Sequence, residues 1–367
     1  MKNRKIAVIH DWLSVNGGAE IVLKHILALC PNADVYTMVD ILPLEQRTWL
    51  DSHKIYTSPL QRFNFIAKRY RYFIPLMPYL VEQFDLSRYD MIISSSHAVA
   101  KGVIVHPHQK HIAYIYSPMR YAWDSMYEHE RLGVFGRGLM RLMLKRWLHK
   151  MRIWDYVSAQ RPDILIADSD FIKQRIQKSW RREADIVYPP VEFDECVYTE
   201  SKSDYYVTLS RLVEYKRIDI IVEAFNQMPD KKLIVIGDGV SLNALQKMAN
   251  SNIIFTGYLP RKEAMGYISK AKAFIFMAKE DFGIAPIEAS ACGTPIIAYK
   301  EGGACETVIH CKTGIFVEEQ TSKSLIYAID FFEHQRIDAH ECMEHAFTFS
   351  VENFKKKMLS YIEIRNI

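Results

Sequence analysis

The chain lacks closely paired cysteines. Its six Cys, at positions 30, 196, 292, 305, 311 and 342, form no Cys-x-x-Cys, which argues against zinc or a disulfide framework and fits a reducing cytoplasm. It also lacks a long apolar run, since nothing approaches the roughly 20 residues of a membrane span. The run Ile6–Ile9 near the N-terminus is too short for a secretory leader and is broken by His10-Asp11. No complete Gly-x-Gly-x-x-Gly is present, so a dinucleotide fingerprint is missing. Net charge is only +4 and no recognition motif accompanies it, so nucleic acid is not an expected partner.

What is there is enough for two domains of ordinary size: 367 residues, 49% hydrophobic and 25% charged. Tyr188-Pro189-Pro190-Val191, followed by an acidic stretch, marks the boundary, because two prolines enforce an extended chain. The domains expected are 1–190 and 191–345, with a C-terminal helix in 346–367. Charge divides unevenly between the halves. Residues 1–190 hold 27 Lys and Arg against 18 Asp and Glu, or +9, and the remainder 20 against 25, or −5. A basic first half suggests an anionic surface or substrate on that side.

Apolar runs read as buried strands at Ile6–Ile9, Ala33–Val39, Met91–Ser94, Ile112–Tyr116 and Ile164–Ala167, then at Tyr206–Leu209, Lys232–Ile236, Ile253–Phe255, Ala273–Ala278 and Pro295–Ala298. Helical stretches between them give a βαβ pattern, hence an α/β chain with parallel sheets whose ligands bind outside the carboxyl ends of the strands. Residues just past those ends are therefore the candidates. They are Gly17 and Gly18, where a backbone can approach a ligand, His97, and the segment Tyr116-Ser117-Pro118-Met119-Arg120-Tyr121-Ala122-Trp123-Asp124. In the second half, Arg211 and Lys216 lie on a strand-to-helix loop, suited to neutralising a diphosphate with the helix end. Glu280 and Glu288 bracket a turn and helix start in which Gly283 marks the turn and Pro286 suits the first helical turn. That helix start favours anions, while the two carboxylates can accept hydrogen bonds from sugar hydroxyls. Asp168-Ser169-Asp170 looks like a metal–nucleotide signature but is more simply a helix N-cap. Asp281-Phe282-Gly283 mimics a kinase motif without the loops that would accompany it.

Two stretches suggest a surface role. Arg62–Leu80 mixes aromatics with Arg and Lys, and Arg131–Trp154 carries seven basic residues and no acid, interleaved with apolar residues at roughly helical spacing. A basic amphipathic helix reads as a binder of anionic membrane, against the alternative of a core helix with a solvated basic face.

Glu280 and Glu288, with seven residues between them around Phe-Gly-Ile-Ala-Pro, resemble the signature of retaining glycosyltransferase family 4, and most closely bacterial O-antigen mannosyltransferases. Arg211 and Lys216, with four residues between them, resemble the family's phosphate-binding pair. The order Phe255-Thr256-Gly257, Glu280 to Glu288, Gly293-Thr294-Pro295-Ile296, Gly302-Gly303 and Thr313-Gly314 follows the family's order. The likeness is specific over Val207–Val317 and thinner before it. It implies the GT-B fold, two Rossmann-like domains with parallel sheets facing across a cleft, and a C-terminal helix crossing back to the first domain.

The resemblance implies that a hexose, first of all mannose from GDP-mannose, passes with retention to a lipid-linked or oligosaccharide acceptor in surface polysaccharide synthesis. Catalysis falls to Glu280, with Tyr116 or His97, since Tyr116-Ser117-Pro118 stands where relatives tend to carry His-Thr-Pro. Nucleotide-sugar binding falls to Gly17, Gly18, Arg211, Lys216, Gly237, Tyr258, Asp281, Phe282, Gly283, Ile284, Ala285 and Glu288. Acceptor binding falls to Arg120, Trp123 and Asp124. No metal or cofactor is required, because the Arg/Lys pair substitutes for one. The protein would work in the cytoplasm, peripheral at the inner face of the membrane. A UDP-hexose transferase, a sugar-nucleotide epimerase of the same architecture and an idle glycan- or membrane-binding protein remain the alternatives.

Overall fold

The computed structural model of the protein describes residues 4–123 and 139–363, the side chains of Leu139 and Met140 excepted. The chain divides into two compact units, Met1–Pro190 with Phe354–Ile367, and Val191–Asn353. The first unit is built on β1 (Ile6–His10), β2 (Asp34–Thr37), β3 (Ile55–Thr57), β4 (Met91–Ser96), β5 (Lys110–Ile115), β6 (Ile164–Ala167) and β7 (Asp185–Ile186). These pair in parallel in the order β3-β2-β1-β4-β5-β6-β7. The second holds β8 (Tyr206–Leu209), β9 (Leu233–Ile236), β10 (Ile253–Gly257), β11 (Ala273–Phe276), β12 (Ile296–Tyr299) and β13 (Gly314–Val317), parallel in the order β10-β9-β8-β11-β12-β13.

The central stretches of most strands are apolar runs, as expected of parallel sheets buried on both faces. Along β11 the side-chain period of two sends Ala273 and Ile275 into one apolar cluster and Phe274 and Phe276 into the other. β1 does the same, with Val8 on one face and Ala7 and Ile9 on the other. In each sheet the strand order reverses once, between β1 and β4 and between β8 and β11. At such a switch point the loops leaving adjacent strands turn opposite ways and open a crevice, where ligands of this architecture bind.

Helix Val351–Glu363 sends Phe354, Met358 and Ile362, four residues apart, into the core of the first unit, with Phe354 edge-on to Tyr114 at 6.0 Å. Ser169 caps helix Asp170–Trp180, its hydroxyl accepting from the Ile172 N–H at 3.2 Å.

The basic segment lies partly within the described residues. Arg131 to Gly138 lie outside the described residues, and the helix runs over Leu139–Ser158. Its apolar residues are not one outward stripe. Leu144, Trp147, Leu148 and Met151 pack on the core of the first unit, Trp147 parallel to Tyr121, while Leu142, Met143 and Ile153 are exposed beside Arg146 and Lys150. Asp155, farther along, is buried and is the acceptor of a polar knot. Lys101 Nζ donates to it at 2.5 Å, and the indole N–H groups of Trp123 and Trp180 donate to its other oxygen at 2.8 Å each. The Lys101 ammonium also lies over the rings of Trp154 and Trp180.

Candidate active site

The second unit assembles its polar groups at the β8/β11 switch point. The loop leaving β8 carries Arg211 and a short 3-10 turn, Glu214–Lys216, and is pinned from the next loop by the Leu212 N–H on Asp238 O at 2.9 Å. Gly237 opens that neighbouring loop, and its N–H donates to Gly257 O at 2.9 Å. Lys216 points at the loop leaving β11, and its ammonium pairs with Glu280. Both side chains retain some access to solvent, 14% for Lys216 and 21% for Glu280. Arg211 is exposed, and its guanidinium donates to the Tyr215 hydroxyl at 2.9 Å.

The turn after Glu280 is shaped by glycine. Gly283, at φ 86°, is the N-cap of helix Ile284–Ala291, a conformation that costs other residues strain. Gly303 lies against the Phe282 main chain so closely that any Cβ would overlap it, and its N–H donates to Glu280 O at 2.8 Å. Phe282 turns its ring inward onto Phe349, so at this position, as at half-buried Ile284 and Ala285, the main chain is what a ligand would meet. Asp281 is half-buried, and Tyr258 projects from its loop, 78% exposed.

Glu288 is one turn into the helix and buried. Its Oε1 is 2.6 Å from Arg261 Nη1, a pairing that the sequence reading missed. Burial raises this carboxyl above its ordinary range, and the Arg261 guanidinium pulls it part of the way back.

In the first unit the β1/β4 switch point holds a second polar cluster. Asp11, fully buried, follows β1 and accepts four main-chain N–H bonds from the turn after β4: His97 and Ala98 on Oδ2, Val99 and Ala100 on Oδ1. His97 Nδ1 is 3.2 Å from Asp11 Oδ2. A carboxylate only accepts, so Nδ1 carries the proton and Nε2 keeps its lone pair. Burial lowers the His97 pKa, with Asp11 opposing, and the ring is thereby biased to its neutral form. Trp12 contacts the same ring edge-on at 4.6 Å. His10 is buried behind it, with Nδ1 on Ser95 Oγ at 3.0 Å and Nε2 3.8 Å from Glu20 Oε1, too long for a hydrogen bond. Glu20 instead takes the Gly17 N–H at 3.0 Å, which fixes the glycine loop at the start of helix Gly18–Leu29.

The other expected residues divide. The Tyr116 hydroxyl is already engaged by Ala19 O at 2.9 Å and Ser95 Oγ at 2.8 Å, so it is held inward. Trp123 gives its N–H to Asp155, which makes it part of the interior knot, while Arg120 is exposed. Asp124 lies outside the described residues. Asp11, Glu20 and Arg261 are the residues that sequence reasoning passed over. For Asp11 the signal was available, since a charged residue directly ending an apolar strand sits at a carboxyl end.

Residues 196–349 match the family described as Glycosyl transferases group 1, and this stretch is most of the second unit. The GDP-mannose-dependent alpha-(1-6)-phosphatidylinositol monomannoside mannosyltransferase of Mycolicibacterium smegmatis is 36% identical over 129 residues, 30% of this chain and 34% of that protein. The alpha-monoglucosyldiacylglycerol synthase of Streptococcus pneumoniae is 31% identical over 173 residues, 41% of this chain and 37% of that one. The matches thus span little more than a third of these relatives' length. Among solved structures, Anabaena HepE in complex with UDP and glucose covers 99% of this chain, which covers 100% of it, at TM-score 0.72 and 17% identity. Sucrose-phosphate synthase from Thermosynechococcus elongatus does so at TM-score 0.72 and 17% identity, with 98% coverage of each chain. At these identities the likeness is one of fold. The architecture is GT-B, and the second unit carries the group 1 glycosyl transferase match.

Proposed function

We propose that the protein is a retaining hexosyltransferase of glycosyltransferase family 4. It moves mannose from GDP-mannose to a lipid-linked or oligosaccharide acceptor in the synthesis of a surface polysaccharide of O-antigen type. The observation that carries this reading is the β8/β11 switch point, where Lys216 pairs with Glu280 ahead of helix Ile284–Ala291 and Arg211 lies on the same loop as Lys216. Two cations and a helix N-terminus suit a diphosphate leaving group, whose developing charge they stabilise in the transition state. Glu280 orients the sugar through its hydroxyls, and Glu288 accepts from the ribose. No carboxylate is assigned as a nucleophile; the acceptor attacks from the side the diphosphate leaves, and the departing phosphate helps remove its proton. Tyr258 and Gly237 lie on the loops that would hold the base, and no metal is needed.

His97 serves catalysis along with Glu280, and Arg120 serves the acceptor. The exposed Leu142, Met143 and Ile153 with Arg146 and Lys150 favour a peripheral seat on anionic lipid at the cytoplasmic face of the membrane. No helix among the described residues is long and apolar enough to cross one. The mannosyltransferase relatives support GDP-mannose and a lipid acceptor, while the UDP held by Anabaena HepE supports a UDP-hexose as the second reading.

The test is a thermal-shift panel of GDP-mannose, GDP, UDP-glucose and UDP. A specific nucleotide at 100 times its Kd stabilises by about 2.7 kcal/mol. Stabilisation by none of the four would remove the donor assignment, and turnover of a nucleotide-sugar into its epimer without acceptor would replace transfer by epimerisation.

A further inference from the structure

Arg261 is the first residue of helix Arg261–Lys270, directly after Pro260. Its side chain is 42% exposed, yet both terminal guanidinium nitrogens are bonded and the third faces a carboxylate beyond hydrogen-bond range. Nη1 is 2.6 Å from Glu288 Oε1, Nη2 donates to Glu192 O at 2.9 Å, and Nε is 3.6 Å from Glu195 Oε2. Arg261 therefore ties Glu288 to the segment that opens the second unit. It is not an arginine waiting for an anion.

Glu288 is in a poor place for a charge. Its side chain is 7% exposed, and after Arg261 the strongest charged groups acting on it are two glutamates, which raise its pKa. Glu192 and Glu195 approach from the opening segment, and Cys196, whose Sγ contacts Glu288 O at 3.7 Å, comes from the same segment. Cys292 follows on Glu288's own helix. From helix Ala339–Phe347, packed against it, His345 faces Phe349 rather than Glu288. Arg261 is the strongest cationic influence on this carboxyl.

We propose that Arg261 is the positioning residue of the donor site, holding Glu288 ionised and oriented through Oε1 so that Oε2 accepts the donor's ribose hydroxyl. The proposal rests on the assignment of Glu288 to the ribose. A carboxylate that must hold a hydroxyl needs its own support fixed before the ligand arrives, and a bonded guanidinium supplies both charge and direction. Without Arg261, burial and the two neighbouring glutamates act unopposed, so the carboxyl rises further and takes up a proton at a pH where the wild type stays ionised. The ribose contact would then be present at high pH and lost as pH falls through the raised value.

The experiment is calorimetric titration of GDP, and separately UDP, into the full chain at pH 6 and pH 8. The proteins are wild type, Arg261→Ala, Arg261→Lys, Glu288→Gln and the Arg261→Ala/Glu288→Gln pair. Arg261→Ala is expected to weaken nucleotide binding on the order of tenfold, equivalent to about 1.4 kcal/mol, and by more at pH 6 than at pH 8. Arg261→Lys restores most of the affinity, and Arg261→Ala costs nothing further once Glu288 is Gln. An equal loss at both pH values and in both backgrounds would show Arg261 to be merely structural and overturn the proposal, as would unchanged affinity in Arg261→Ala. If the wild type binds neither nucleotide, the donor site itself is lost. If it binds but Glu288→Gln has no effect, the ribose assignment fails and the role of Arg261 with it.

Discussion

Removing Lys216 is the sharpest perturbation of the donor half-site, because the structure shows what its loss leaves behind. A charge-assisted contact to phosphate is worth roughly 1.5–3 kcal/mol, so Lys216→Ala alone should weaken GDP binding by about 10- to 150-fold. The ammonium also pairs with Glu280, which in the variant faces the incoming diphosphate without a partner on that side. Like charges at that range add a penalty, which places the single variant toward the upper end. Lys216→Ala/Glu280→Gln removes the repulsion, so it should bind GDP more tightly than Lys216→Ala does. Arg211 lacks such a counter-ion contact and bonds a tyrosine hydroxyl, so Arg211→Ala should lose only its own contact and sit lower in the range. Titration calorimetry with GDP measures the three variants against the wild type. Unchanged affinity in both Lys216→Ala and Arg211→Ala would refute the phosphate assignment. A double variant weaker than Lys216→Ala would refute the repulsion argument.

Much of this was legible in the sequence because parallel strands buried on both faces are written as unbroken apolar runs. Ala273–Phe276 and Leu233–Ile236 announce themselves in that way, and the glycines, Arg211, Lys216 and Glu280 fall in the loops beyond such runs, with Glu288 in the helix that follows. β3 and β7, at the two edges of the first sheet, escaped, since Ile55–Thr57 and Asp185–Ile186 are too short to show a period. The pairing of Arg261 with Glu288 was invisible for a different reason. Nothing local distinguishes an arginine at a helix start that reaches a distant carboxylate from one that is solvated; only the packing of two helices decides it. The same holds for Trp123 and Trp147, whose direction along the chain gives no hint that both turn inward.

The two glutamates should separate by phenotype: Glu280→Gln should cripple transfer with GDP binding nearly intact, whereas Glu288→Gln should weaken GDP itself, and an exchange of these outcomes would show the loop misassigned. Changing Arg146 and Lys150 to Glu should release the protein from anionic vesicles at low salt, since each basic residue near such a surface contributes about 1 kcal/mol; a wild type that never sediments with them would leave the helix a solvated face. The last prediction concerns Asp155, which no sequence feature singles out. Asp155→Ala strands the Lys101 ammonium, 1% exposed, without its counter-charge, leaving it Ala98 O and two indole faces, and takes the acceptor from two indole N–H groups. Breaking a buried ion pair by removing one member costs roughly 3–5 kcal/mol, a large fraction of the about 5–15 kcal/mol that holds an ordinary protein folded. Asp155→Asn paired with Lys101→Met should recover most of it, because the amide oxygen still accepts from the indoles and no charge is left buried. All six tryptophans precede Pro190, so their fluorescence in a urea titration reports the first unit alone. A loss below about 1 kcal/mol for Asp155→Ala would mean that water reaches Lys101 and that the knot is not the closed network its distances describe.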